Sequence, residues 1–184
     1  MAVKTFTTGE VLTAADTNTY LNNGGLVYIK SQTIGTAVSS VTVSSAFSAD
    51  FDAYRVTVTG MVCSAGDNTI FIRPGGDTTA ASYFSGGYFV KYDGTGNGWL
   101  IQNGTASGIS VCITDTSAQA FAFDIFSPFL TQRTRASGIS TGLAYVAHYQ
   151  GYHNQATSYT SFTMVPNSGT MTGGTIRLYG YRQA

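Results

Sequence analysis

Residues 51–62 read FDAYRVTVTGMV, and this stretch decides the fold class. Tyr54, Val56 and Val58 alternate with Arg55, Thr57 and Thr59. A period of two puts one set on a buried face and the other in water, as in a half-buried strand of an antiparallel sheet. A turn signal, SAGDN at 64–68, follows it, and Ile70 and Ile72 then resume on one face of a second strand. Pro74-Gly75-Gly76-Asp77 breaks that strand. Upstream, residues 26–33 (LVYIKSQT) and the pair Val41 and Val43 read as strands.

Downstream, alternation returns at Ile109, Val111 and Ile113, and again at Phe121, Phe123 and Ile125, with Pro128 as the stop. Residues 132–141 are polar, with Arg133 and Arg135 on one face. They read as an outer or edge strand, where charge discourages sheet-to-sheet association. Residues 143–151, 159–165 and 175–182 complete the set. Residues 78–108 are the least regular. Strands are expected there near 88–92 and 98–102, with loop between them. About ten or eleven short strands without intervening helices predict an all-β fold, an antiparallel β-sandwich of jelly-roll type.

The single helix signal lies ahead of the strands, in TTGEVLTAADTNTYLNNGG at 7–25. Thr13 fits an N-cap with Asp16 three residues on, and Gly24 stands where a C′ residue belongs. Such a helix is too short to persist alone in water, so it must dock. Residues 1–25 are therefore expected to be an attachment arm that docks through Val11, Leu12, Ala15 and Leu21, with residues 26–184 as the β-domain.

Charged residues make up 10% of the chain, and nine basic residues balance nine acidic ones. There is no Lys/Arg run, and nucleic-acid binding needs a basic footprint. No apolar run reaches the ~18 residues of a membrane span. The N-terminal MAVKTFTTGE lacks the apolar core of a secretory signal, so synthesis in a cytoplasm is expected. Cys63 and Cys112 each sit among strand residues and read as reduced, partly buried thiols; pairing needs the two strands to be neighbours.

No residue pattern points to catalysis, and neither a metal nor a cofactor is expected. Asp50 and Asp52 share a face in extended backbone, but they fit a turn equally well. His148 and His153 are five residues apart, so one strand carries them on opposite faces. No G-x-S-x-G elbow is present, and the glycine-rich 75–87 stretch lacks a P-loop lysine. The best candidate for binding is aromatic. Tyr83, Tyr88, Tyr92 and Trp99 offer flat faces for a ligand such as a sugar, unless they pack the core or a subunit interface.

Several runs together resemble a known family. These are FTTGEVLTAADTNTYLNNGGLVYIKSQTIGTAVSSVTV at 6–43, SPFL at 127–130, TSYTSF at 157–162 and SGTMTGGTIRLYGYR at 168–182. They resemble small virion proteins of tailed bacteriophages, of the minor tail or tail-fibre type found in phages of actinobacteria and in environmental phages. The resemblance implies a structural virion component and no enzyme. It implies a homotrimer, attachment to other virion proteins through the N-terminal arm, and a β-domain turned toward the host surface and its glycans. A capsid decoration or head-fibre protein is the nearest alternative. A free carbohydrate-binding module and a polysaccharide-degrading enzyme are more distant ones.

Overall fold

The computed structural model describes residues 7–11, 13–16, 25–104, 106–142 and 144–182. Thirteen strands follow in order: β1 (Leu26–Thr33), β2 (Val41–Val43), β3 (Ala53–Cys63), β4 (Asn68–Pro74), β5 (Tyr83–Lys91), β6 (Asn97–Asn103), β7 (Ile109–Thr114), β8 (Gln119–Phe126), β9 (Arg133–Thr141), β10 (Tyr145–Ala156), β11 (Phe162–Pro166), β12 (Met171–Thr172) and β13 (Thr175–Tyr181). A 3-10 turn, Ala80–Ser82, precedes β5. The large sheet runs β1-β13-β3-β8-β9-β10-β5-β6, with β12 added along β3. The small sheet runs β2-β11-β4-β7. The pairings are antiparallel.

Of the expected attachment helix, the described residues show helical backbone over Ala14–Asp16 alone. Val11 and Ala15 are exposed there and touch no core, while Leu12 and Leu21 lie outside the described residues. Glu10 turns back instead, accepting the Thr7 backbone N–H at 3.1 Å.

The alternation in β3 becomes a buried face. Tyr54, Val56 and Val58 join Phe121, Phe123 and Ile125 of β8 and Ile176 and Leu178 of β13. Ile70 and Ile72 of β4 and Phe162 and Met164 of β11 enter the same cluster, so the two sheets share one core. The parity of β3 switches at Gly60, which has φ +76° and sits where the pairing with β8 slips between Thr59 and Met61. That bulge returns Met61 and Cys63 to the interior after Val58.

Two strands depart from the sequence expectation. The 132–141 stretch lies in the middle of the large sheet, between β8 and β10, and not at an edge. Its polarity belongs to a solvated outer face. The irregular 78–108 region is mostly a long hairpin, β5–β6, with seven cross-strand pairs from Phe84↔Asn103 to Val90↔Asn97.

Every residue of β7 is buried. One edge of β7 pairs with β4; the other abuts the inner face of the large sheet. Hydroxyls from that sheet serve this second edge: Ser85 Oγ accepts the Ser110 N–H at 3.0 Å, and Ser140 Oγ accepts the Ile113 N–H at 3.1 Å. The approach leaves no room for a side chain at position 138 of β9, where a Cβ on Gly138 would stand 2.0 Å from the Val111 carbonyl oxygen.

A second polar tie lies at one end of the core. His153 is buried, with Nε2 at 2.7 Å from Asp77 Oδ2 and Nδ1 at 3.1 Å from the Tyr159 hydroxyl. Tyr83 lies against the imidazole, with centroids 4.7 Å apart, and its hydroxyl donates to the Asp77 carbonyl at 2.6 Å. The cluster joins the β4–β5 connection, the end of β10 and the β10–β11 connection. Burial works to raise the Asp77 carboxyl, but hydrogen bonds from Thr79 and His153 prevail and hold it below the usual carboxylate value.

Two predictions follow from these ties. Gly138→Ala is expected to cost about 1–3 kcal/mol by overpacking, and Ser140→Ala about 1–3 kcal/mol by stranding the buried Ile113 N–H. Urea unfolding reads both, with the open Gly66→Ala as a control that changes stability by less than about 0.5 kcal/mol. For Asp77, a depressed folded-state value means stability that is present above the unfolded value near ~3.9 and lost as pH falls through the folded one. Wild-type stability is therefore expected to drop in acid below about pH 4. Asp77→Asn is expected to flatten that drop and to lower stability at pH 7, as unfolding at pH 7 and pH 3 would record.

Candidate functional site

The outward face of the large sheet carries the site. Cross-strand register sorts its side chains into rows that run across the strands. One row is Trp99, Tyr88, His148 and Ile139, on β6, β5, β10 and β9. A parallel row four residues away is Phe84, Tyr152, Arg135 and Phe126, on β5, β10, β9 and β8. Between them run Gly86, Gln150 and Ser137. Large side chains on both flanks and small ones between them leave a groove of about 670 Å³. At ~4.8 Å per strand interval, the groove spans roughly 14 Å from β5 to β8.

The walls are aromatic. Phe84 and Tyr152 stack with centroids 4.9 Å apart and planes 6° from parallel. Arg133 lies over the Tyr152 ring at 5.6 Å. On the other wall, Tyr88 stands 6.0 Å from Trp99 and 6.0 Å from His148, tilted to both. Gln150 Nε2 comes within 3.5 Å of His148 Nε2. Trp99 is 78% exposed and Ile101 82%, on a strand at the end of the sheet. Val90, Ile139 and Val146 are exposed nearby on the same face. Isolated apolar residues at a surface are ordinary, but a contiguous set marks an interaction site.

The four aromatic residues singled out from sequence separate. Tyr88 lines the groove, and Trp99 stands beside it, outside the lining. Tyr92 is exposed at the tip of the β5–β6 hairpin, outside the groove. Tyr83 is fully buried against His153 and presents nothing to a ligand; burial and then the Asp77 charge push its phenol well above the usual value. Phe84, Tyr152, Arg135 and His148 are site residues that sequence reading did not propose. The even spacings from Phe84 to Tyr88 and from His148 to Tyr152 were the available signal. The odd His148–His153 spacing does divide the two histidines between the faces, one lining the groove and one buried.

Several other groups with reactive chemistry are engaged in structure. Asp50 closes a turn ahead of β3 with the Ser48 hydroxyl at 2.8 Å. Asp124 takes Arg55 in a two-pronged pair at 2.9 Å and 2.9 Å, and the Tyr181 hydroxyl at 2.8 Å. Cys63 and Cys112 are buried free thiols, both pushed upward by burial. Among the described residues no group of three His, Cys, Asp or Glu side chains is placed to hold a metal ion, and no helix is long and apolar enough to cross a membrane. The aromatic walls of the groove suit reversible binding of a flat ligand.

No family model and no curated protein sequence matches the chain. Among solved structures, SCP-B, a member of the eqolisin family of peptidases in complex with the tripeptide Ala-Ile-His, aligns at 13% identity and a TM-score of 0.29, over 79% of this chain and 64% of that one. A. japonicus CB05 aligns at 9% identity and a TM-score of 0.32, over 92% of this chain and 28% of that one. The chain thus spans under two thirds of either protein's length, and similarity this low carries no argument about activity.

Proposed function

We propose that this chain is a non-enzymatic structural protein of a bacteriophage virion, a tail or fibre component whose β-domain adsorbs to the host surface. The observation that carries the reading is the aromatic groove on the outward face of the large sheet, walled by Tyr88 and His148 on one side, with the exposed Trp99 beside Tyr88, and by Phe84 and Tyr152 on the other. Flat rings flanking a polar floor of Ser137 and Gln150 suit the alternating apolar faces and hydroxyls of a glycan. The family resemblance of the opening and closing runs points the same way. In this reading the protein is a homotrimer, and residues 1–25 attach it to other virion proteins.

Strand order supports the finer assignment of the fold as a jelly-roll sandwich. Taking β8, β9 and β10 as one elaborated strand, the small sheet holds the first, eighth, third and sixth strands of an eight-strand series that starts at β2. The large sheet then holds the second, seventh, fourth and fifth, with β1 and β13 added outside. Jelly rolls of this kind build both viral coat and lectin domains. The groove is equally at home in a carbohydrate-binding module, and that second reading predicts a monomer that never enters a particle.

Antibody-gold labelling of intact particles separates the readings. Label at the distal tail is expected; label spread over the capsid would make the chain a decoration or head-fibre protein, and no label on any particle would remove the virion assignment. Trp99→Ala and Tyr88→Ala are each expected to weaken binding to host cells about tenfold, the ~1.4 kcal/mol scale of a lost aromatic contact. Melting temperature is expected to hold for Trp99→Ala, since that ring is mostly in water. A large fall would mark Trp99 as structural.

A further inference from the structure

We infer that the groove takes an acidic saccharide, with Arg135 holding a sugar carboxylate. This inference rests on the glycan-adsorption reading of the same groove. It starts from where the chain keeps its charges. Overall the nine basic and nine acidic residues cancel. The large sheet does not share that balance: its outer face carries Arg55, Arg133, Arg135 and Arg177 on strands β3, β9 and β13, and Asp124 is the only carboxylate on any strand of that sheet. Asp124 is already held by Arg55 and the Tyr181 hydroxyl. Arg177 donates to Thr59 Oγ1 at 2.9 Å.

Arg135 lies in the groove lining, cross-strand from Tyr152 and Phe126; Asp124, opposite Ser137, lies outside the lining and is engaged by Arg55. An arginine on an edge strand would guard against sheet-to-sheet association, but β9 is an internal strand and has no edge to guard. A guanidinium fork matches a carboxylate in two parallel hydrogen bonds, geometry that a lysine does not offer. Its position fits the rest of a sugar. The ring sits against Tyr152 and Phe84, hydroxyls meet Ser137 and Gln150, and the acid substituent reaches Arg135 toward the β8 side.

The test is binding of the full chain to an array of bacterial surface polysaccharides, each acidic member printed beside its carboxyl-reduced form and accompanied by phosphodiester-linked teichoic-type polymers. Binding to uronate- or sialate-bearing members is expected, falling about tenfold on carboxyl reduction and by a similar factor in Arg135→Ala, with salt weakening it. Arg135→Lys is expected to recover part of the loss, and both variants to melt with the wild type. Equal binding of acidic and reduced forms, lost in Tyr88→Ala but not in Arg135→Ala, would overturn the carboxylate assignment and leave adsorption standing. Binding confined to the phosphodiester polymers would overturn it as well. Failure to bind any member would remove the glycan reading and this inference together.

Discussion

The constraint on which the rest of this structure depends is the second edge of β7. A strand buried along its whole length has backbone N–H groups on two sides, and only β4 pairs with it in the ladder. An unpaired N–H in an apolar interior costs more than a hydrogen bond gains. The large sheet meets this demand with single hydroxyls, Ser85 from β5 and Ser140 from β9. Hydroxyls reach only if the sheet comes close, and closeness dictates Gly138 beneath the Val111 carbonyl and Gly151 beside Ile109. The small residues of β5, β9 and β10 are thus a consequence of closing one edge.

The same closeness shapes the outer surface. The inner row Gly87, Tyr149 and Gly138 seats one large ring between two glycines. On the reverse of these strands, rings stand on either side of Gly86 and Ser137, and the floor between them is backbone held rigid by the packing beneath. A binding groove needs such a floor, because its side chains must keep their spacing while exposed to water. Core and groove are therefore two faces of the same three strands, and a substitution that loosens the β7 contact is expected to be felt in both.

Much of this architecture was legible in the sequence, and the rest failed for identifiable reasons. Val41 and Val43, the 54–58 alternation, Ile109 and Val111, and the run 121–125 face one core as their period requires, while Ile113 joins a second cluster with Tyr145, Ala147 and Tyr149. The β5–β6 hairpin was obscured because its outer face carries Tyr88, Val90, Trp99 and Ile101 where an ordinary half-buried strand shows polar residues. The charges of 132–141 suggest an outer or edge strand, yet β9 lies between β8 and β10 and its charges belong to the solvated face. Pairing partners are set by contacts far apart in the chain, which local pattern does not encode. Tyr83 and Tyr88 differ by one in parity, and parity along an irregular stretch is fixed only when the strand is known to be continuous.

That parity carries the functional argument. Along β5, Tyr83 and Ser85 face the interior, whereas Phe84, Gly86 and Tyr88 face water. Along β10, Tyr149 and His153 face in, whereas His148, Gln150 and Tyr152 face out. The inward set satisfies its polar atoms internally, as His153 does with Asp77 and Tyr159. The outward set has no such closure: Tyr88 and Trp99 meet mainly each other and His148. Apolar rings left in water gain by being covered. A chain with so few charges has little else on its surface to keep copies apart. Arg133 and Arg135 bring like charge to the same face and oppose its closure on another copy of itself, while leaving it attractive to a partner that is flat, hydroxylated and negatively charged.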